Sequence, residues 1–294
     1  MTQYSTTVSA TWRDYYEMCK PRVVMLMILT SVVGMLLAVP GMVPLDVMLL
    51  GNLGIALVAS SGAVVNHLID RKIDVIMKRT HNRPIPQGRV DPRMAGLFAV
   101  AIGVAGMAIL LLWVNALSAW LTLASFVGYA FIYTGYLKHA TPQNIVIGGL
   151  SGAMPPLLGW SAVTGTIEPG ALILVLIIFA WTPPHFWALA IHRKEEYAKS
   201  GVPMLPVTHG ERVTKIHILI YTIMLVLISV LPYFMGMSGL LYLVSALGLG
   251  GGFMYWSLVL MYRPGPTTAM DTFRFSILYL ALLFIALLAD HYMI

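Results

Sequence analysis

Apolar residues in this chain come in nine long runs, at residues 23–39, 45–65, 94–114, 116–136, 145–163, 171–191, 216–234, 240–261 and 273–289. Polar clusters marked by Pro and Gly separate them, such as Pro40-Gly41, Thr164-Gly165-Thr166 and Arg263-Pro264-Gly265-Pro266. A helix crossing bilayer hydrocarbon needs about 20 mostly apolar residues at 1.5 Å each. The pattern therefore predicts an all-α polytopic membrane protein with nine transmembrane helices. Two gaps are long, at residues 70–92 and 192–215, and long connections tend to carry function. Four helices separate them. That spacing suggests two four-helix halves, 23–136 and 145–261, and a ninth helix at 273–289, within one transmembrane domain spanning 23–294, although no residue-level repeat relates the halves.

Charged positions add an orientation. All 18 Lys and Arg lie in the N-terminal segment or after the second, fourth, sixth and eighth runs, while the opposite gaps hold only Asp46, Glu168 and Asp290. Lys and Arg accumulate in cytoplasmic loops, so the N-terminus is expected inside and the C-terminus outside. Residues 1–22 are then a cytosolic segment; they lack the apolar core of a signal peptide, and Asp14 and Glu17 argue against a transit peptide. A bacterial inner membrane with the working face toward the cytoplasm is the expected location.

Composition narrows the classes further. The chain is 59% hydrophobic and 10% charged, against roughly 25% charged in a soluble domain, which excludes disordered, collagenous and nucleic-acid-binding chains. The net charge of +6 follows from the sidedness of the loops and needs no acidic partner. Cys19 is the one cysteine, which excludes a disulfide framework and any cysteine-built metal or iron–sulfur site.

The stretch that leads into the first long gap reads Asn66-His67-Leu68-Ile69-Asp70-Arg71-Lys72-Ile73-Asp74. Asn66, Asp70 and Asp74 step by four, so a continuing helix stacks them on one face. Two carboxylates one turn apart repel unless a cation lies between them, and hard oxygen ligands beside phosphates suit Mg²⁺. Arg71, Lys72, Lys78, Arg79 and Arg83 follow, in reach of phosphate oxygens, although Arg71 and Lys72 point away from the Asp70–Asp74 face. The plainer reading is a solvated helix end whose charges set topology. Ionisable groups at membrane depth nevertheless favour function.

Ahead of the second gap, Pro183-Pro184 is expected to break the sixth helix at membrane depth, where freed carbonyls need cover. His185 follows that break, and Glu195 and Glu196 take the place that Asp70 and Asp74 hold in the first half. An interior structural histidine and an interfacial belt of Trp181 and Trp187 are the plainer readings. Near the fourth helix, Lys138 is the only Lys or Arg of its loop, which suits either a phosphate contact or topology.

These blocks resemble the UbiA superfamily of intramembrane prenyltransferases. Asn66-x3-Asp70-x3-Asp74 with Arg79-Thr80-x2-Arg83-Pro84 is similar to its first signature. Tyr133-Thr134-x-Tyr136-Leu137-Lys138, Thr141-Pro142-x-Asn144, Gly152-Ala153-x-Pro155-Pro156, Trp181-Thr182-Pro183-Pro184-His185-Phe186-Trp187-Ala188 and Pro203-Met204-Leu205-Pro206 are similar to its haem O synthase branch. The likeness runs from about Lys20-Pro21-Arg22 to the last helix. Two departures stand out. No Asp occurs between Asp91 and Asp271, which reduces the usual second aspartate motif to Glu195 and Glu196, and Lys138-His139 stands where many branch members have Lys-Arg.

The resemblance implies a UbiA-type helical bundle that transfers the farnesyl group of farnesyl diphosphate to a vinyl group of haem b. Water adds, and haem O and diphosphate result. It implies Mg²⁺ on Asn66, Asp70, Asp74 and Glu196, catalysis by Asp70, Asp74, Arg83 and Lys138, and diphosphate on Lys72, Arg79, Arg83 and Lys138. Haem b, a substrate here, falls to His185, Arg193 and Lys194. The partners implied are both substrates, the bilayer, and a haem-modifying enzyme or terminal oxidase that receives the product; nucleic acid is not among them. Two alternatives stay open: a prenyltransferase for a quinone precursor or chlorin, and a secondary transporter with intramembrane carboxylates.

Overall fold

The computed structural model describes residues 10–77 and 80–293, so the expected phosphate ligand Arg79, and Lys78 beside it, lie outside the described residues. A short helix α1 (Trp12–Met18) leads into α2 (Pro21–Leu37) and α3 (Leu45–Asp74). α4 (Pro92–Ile109) widens into a π-helical turn at Leu110–Val114. α5 (Ala116–Val127) widens into a longer one, Gly128–Leu137, which ends in α6 (Lys138–Ala140). α7 (Asn144–Ala153) and α8 (Pro155–Thr164) share one span, followed by α9 (Pro169–His192). The short α10 (Lys194–Lys199) and α11 (Leu205–Thr208) precede α12 (Gly210–Ser229), α13 (Leu231–Phe234), α14 (Leu240–Tyr262) and α15 (Thr268–His291).

Among the described residues, eight helices are long and apolar enough to cross a membrane, and nine if α1 and α2, bent by 52°, form one span. Their outer faces carry large apolar side chains, as Leu97, Val100 and Val104 do on α4, while Ala95 and Ala99 of the same helix are buried. Such a surface suits lipid and not water. The chain is an integral membrane protein.

Local signals set the helix starts. Pro21, Pro92, Pro155 and Pro169 stand at first helical positions, where a missing N–H costs nothing. The Asp91 side chain accepts from the N–H groups of Arg93 and Met94, and that of Asn115 from the N–H of Ser118. α2 and α8 cross so closely that a Cβ on Gly34 would stand 2.1 Å from the Pro156 carbonyl oxygen, and one on Gly159 2.1 Å from that of Ser31. Only glycine permits this approach. The main core surrounds α9, whose Leu174 and Ile177 pack with Tyr242, Phe253 and Tyr279 of α14 and α15.

The helix of the second run continues past residue 65 to Asp74, which keeps the acidic positions helical as their spacing requires. One expectation is corrected. Pro183 and Pro184 do not break the sixth transmembrane helix, since α9 runs through both to His192. Each proline removes one backbone hydrogen bond, but neighbouring helices and hydroxyl side chains can hold a membrane helix together at such a point. The carbonyls freed are those of Phe179 and Ala180, four residues before each proline, and α9 is enclosed by neighbouring helices along this stretch.

Candidate active site

The last two turns of α3 bury what an ordinary helix end would expose. Asn66, Asp70 and Asp74 are 5%, 2% and 2% exposed, and the stacking expected from their spacing is real, with Asn66 Nδ2 donating to Asp70 Oδ2 at 2.7 Å. Buried carboxylates are tolerated only when paired. Each of the three side chains meets one cation from a different part of the chain. Lys138 Nζ lies 2.7 Å from Asp70 Oδ2, Arg83 Nη1 lies 2.6 Å from Asp74 Oδ2, and Lys20 Nζ donates to Asn66 Oδ1.

Each cation is delivered by a distinct local device. Lys138 sits at the end of the π-helical stretch, where the Thr134 hydroxyl donates to the Tyr129 carbonyl five residues back at 2.9 Å and accepts from Asn66 Nδ2 at 3.3 Å. Such widened turns recur at functional sites. Arg83 returns across a run of turns: the Thr80 hydroxyl donates to the Asp74 carbonyl, and the Arg83 N–H to that of Thr80. Ile85 and Val90 anchor this loop in an apolar cluster with Met18 and Ala95, and Arg89 ties it to Asp14 and Glu17 of α1. Lys20 has φ 51, the one positive φ at a non-glycine among the described residues. Left-handed backbone at such a residue is sparsely populated and collects at functional sites.

The donor set fits a hard divalent cation. Asp70 Oδ1 is buried with no hydrogen-bond partner among the described residues, an uncompensated acceptor that a cation would satisfy. No three His, Cys, Asp or Glu side chains among the described residues gather as a metal group. Asp70 and Asp74, with the Asn66 amide, would therefore leave positions to water and phosphate oxygens, as Mg²⁺ sites do.

A model of the UbiA prenyltransferase family matches residues 27–288. The chain belongs to this family. Among curated relatives of this UbiA prenyltransferase, the protoheme IX farnesyltransferase of Saccharophagus degradans is 64% identical over 285 residues, covering 97% of this chain and 94% of that one. The protein of the same name from Hahella chejuensis is 64% identical over 288 residues, covering 98% and 96%. Among solved structures, a digeranylgeranylglyceryl phosphate synthase shares the fold with a TM-score of 0.83 at 20% identity, over 96% of this chain and 99% of that one. A UbiA homolog from Archaeoglobus fulgidus, bound to GPP and Mg²⁺, gives a TM-score of 0.64 at 16% identity, over 93% and 99%.

The remaining expected site residues of this UbiA chain lie elsewhere. Lys72 is exposed. Glu196 pairs with Arg193 at 3.9 Å, and Lys194 with Glu211 at 3.3 Å, all past the end of α9. His185 is buried between α9 and α15, beside Trp181, Phe273 and Ser276. One apolar cluster links these regions, because Ile73, next to Asp74, and Phe273 pack against the same group as Trp187 and Ile145. Lys20 is the residue the sequence reading passed over; the basic Lys20-Pro21-Arg22 at the mouth of the first helix was its only local signal. His67, 2% exposed with Nδ1 unpartnered among the described residues, was passed over too.

Proposed function

We propose that this prenyltransferase joins the farnesyl group of farnesyl diphosphate to a vinyl group of haem b, giving haem O and diphosphate. The observation that carries the reading is the pairing at the end of α3, where Asn66, Asp70 and Asp74 each face one cation. That is a diphosphate site in its resting, self-neutralised form. The acceptor follows from near full-length relatives named protoheme IX farnesyltransferase.

Mg²⁺ held by Asn66, Asp70 and Asp74 would supply positive charge for the leaving diphosphate. With Asp70 and Asp74 engaged by such a metal, Lys138 and Arg83 would be free for phosphate oxygens, with Lys20 beside Asn66. These cations hold the diphosphate and stabilise its growing charge as the allylic C–O bond breaks, the stabilisation being arranged before the charge develops. The vinyl group supplies the electron pair for the new carbon–carbon bond. Water adds to the cation left beside the porphyrin and loses a proton, so no strong base is needed.

His185 contacts the haem in this reading, with Arg193 and Lys194 at its propionates. Glu196 belongs to a second, weaker metal position, and Arg79 and Lys72 are further phosphate contacts. The basic side faces the cytoplasm of a bacterial inner membrane, with the N-terminus inside. The test is expression in a strain that cannot make haem O, with extracted haems identified by mass. Haem O should appear; haem b alone would refute the reading.

A further inference from the structure

His185 is held on every side but one. Its ring stacks on Trp181 at 4.2 Å and on Phe273 at 4.5 Å between centroids, and Phe186 meets it edge-on at 4.9 Å. Nδ1 lies 2.7 Å from Ser276 Oγ. The same hydroxyl donates to the Phe273 carbonyl at 2.6 Å. A serine hydroxyl has one proton and two lone pairs. Were that proton given to Nδ1, the Ser276 and Phe273 oxygens would face each other lone pair to lone pair at 2.6 Å. Both contacts are satisfied only if Oγ donates to the carbonyl and accepts from Nδ1–H.

Nδ1 therefore carries the proton, and Nε2 keeps its lone pair. No hydrogen bond reaches Nε2 among the described residues, and this atom keeps an opening although His185 as a whole is only 8% exposed. The Trp181 indole N–H donates to the Ser276 carbonyl at 2.7 Å, which locks the registry of α9 and α15 around the pair. We infer that Ser276 is a positioning residue that fixes the His185 tautomer so that Nε2 is offered to the iron of the haem substrate. This rests on haem b being the acceptor. Histidines that bind metals are commonly oriented through their other nitrogen in this way. With both ring faces covered, approach along the ring plane remains, which is the direction of an axial bond.

The test has two readouts. In the haem-free protein, ¹⁵N spectra of labelled histidine, with His185 assigned by His185→Gln, should show a protonated Nδ1 and a bare Nε2. Ser276→Ala should shift that balance toward Nε2–H, and Ser276→Thr, which keeps the hydroxyl, should restore it. In the haem-loaded protein, His185→Ala should remove the imidazole-ligated absorption and electron-spin signature. Ser276→Ala should weaken ferric haem binding roughly ten- to a hundredfold. A haem spectrum unchanged by His185→Ala would overturn the haem contact itself. A spectrum lost in His185→Ala, with tautomer and haem affinity unchanged in Ser276→Ala, would keep the contact and overturn the role of Ser276.

Discussion

Lys138→Met separates a diphosphate site in waiting from a mere structural ion pair. In the resting protein Lys138 holds Asp70 at 2.7 Å with only 14% of its side chain exposed. Removing one partner of such a pair strands the other, at a cost of about 3–5 kcal/mol, so the metal-free variant should unfold at lower temperature. The same change also removes the group that competes with a metal for Asp70. A charge-assisted hydrogen bond is worth about 1.5–3 kcal/mol, and each 1.4 kcal/mol is tenfold in affinity. Mg²⁺ without substrate should therefore bind roughly ten- to a hundredfold more tightly to Lys138→Met, and should restore its thermal stability. Turnover should still fall by about 10²-fold, because a preorganised donor to the leaving group is lost. Calorimetric titration of Mg²⁺ into both proteins in lipid nanodiscs reads the first effect, and product analysis reads the second. Equal or weaker Mg²⁺ binding in the variant would refute the exchange of Lys138 for metal at Asp70.

Asp74→Asn should abolish product formation while the protein remains inserted, and near wild-type haem O in those membranes would remove Asp74 from the metal set. Glu196→Gln should lower turnover less, since Glu196 pairs with Arg193 past the end of α9; an equal loss would make it a full ligand. Lys20→Gly relieves a positive φ while deleting the cation, so thermal stability should hold and the KM for farnesyl diphosphate should rise; a stability loss with unchanged KM would make Lys20 structural. Gly159→Ala forces a Cβ onto the Ser31 carbonyl and should cost about 1–3 kcal/mol, read as a lower denaturation midpoint in detergent, where no change would mean that α2 and α8 are free to part.

The membrane runs were legible because hydropathy is a property of composition over 20 residues, and it survives ignorance of packing. Asn66, Asp70 and Asp74 were legible because a period of four is intrinsic to the helix that carries them. Lys20 was not, since its contact with Asn66 spans 46 positions and depends on a left-handed turn that no local rule assigns to lysine. Arg83 was nameable as a cation but not as the partner of Asp74, because the turns at residues 80–90 that bring it back are closed by backbone bonds and by Ile85 and Val90. Pro183-Pro184 misled for a related reason. The local rule predicts a break, and the enclosure of α9 by its neighbours overrides it.

In the proposed reaction, farnesyl and water are both added to haem b at the site where α3 ends. Purified protein in nanodiscs, given farnesyl diphosphate, haem b and Mg²⁺ in ¹⁸O-labelled water, should yield a haem whose mass includes one farnesyl group and one ¹⁸O atom, and the Asp70→Asn variant should yield none. A farnesylated haem lacking ¹⁸O, unmodified haem b, or equal product from Asp70→Asn would contradict it.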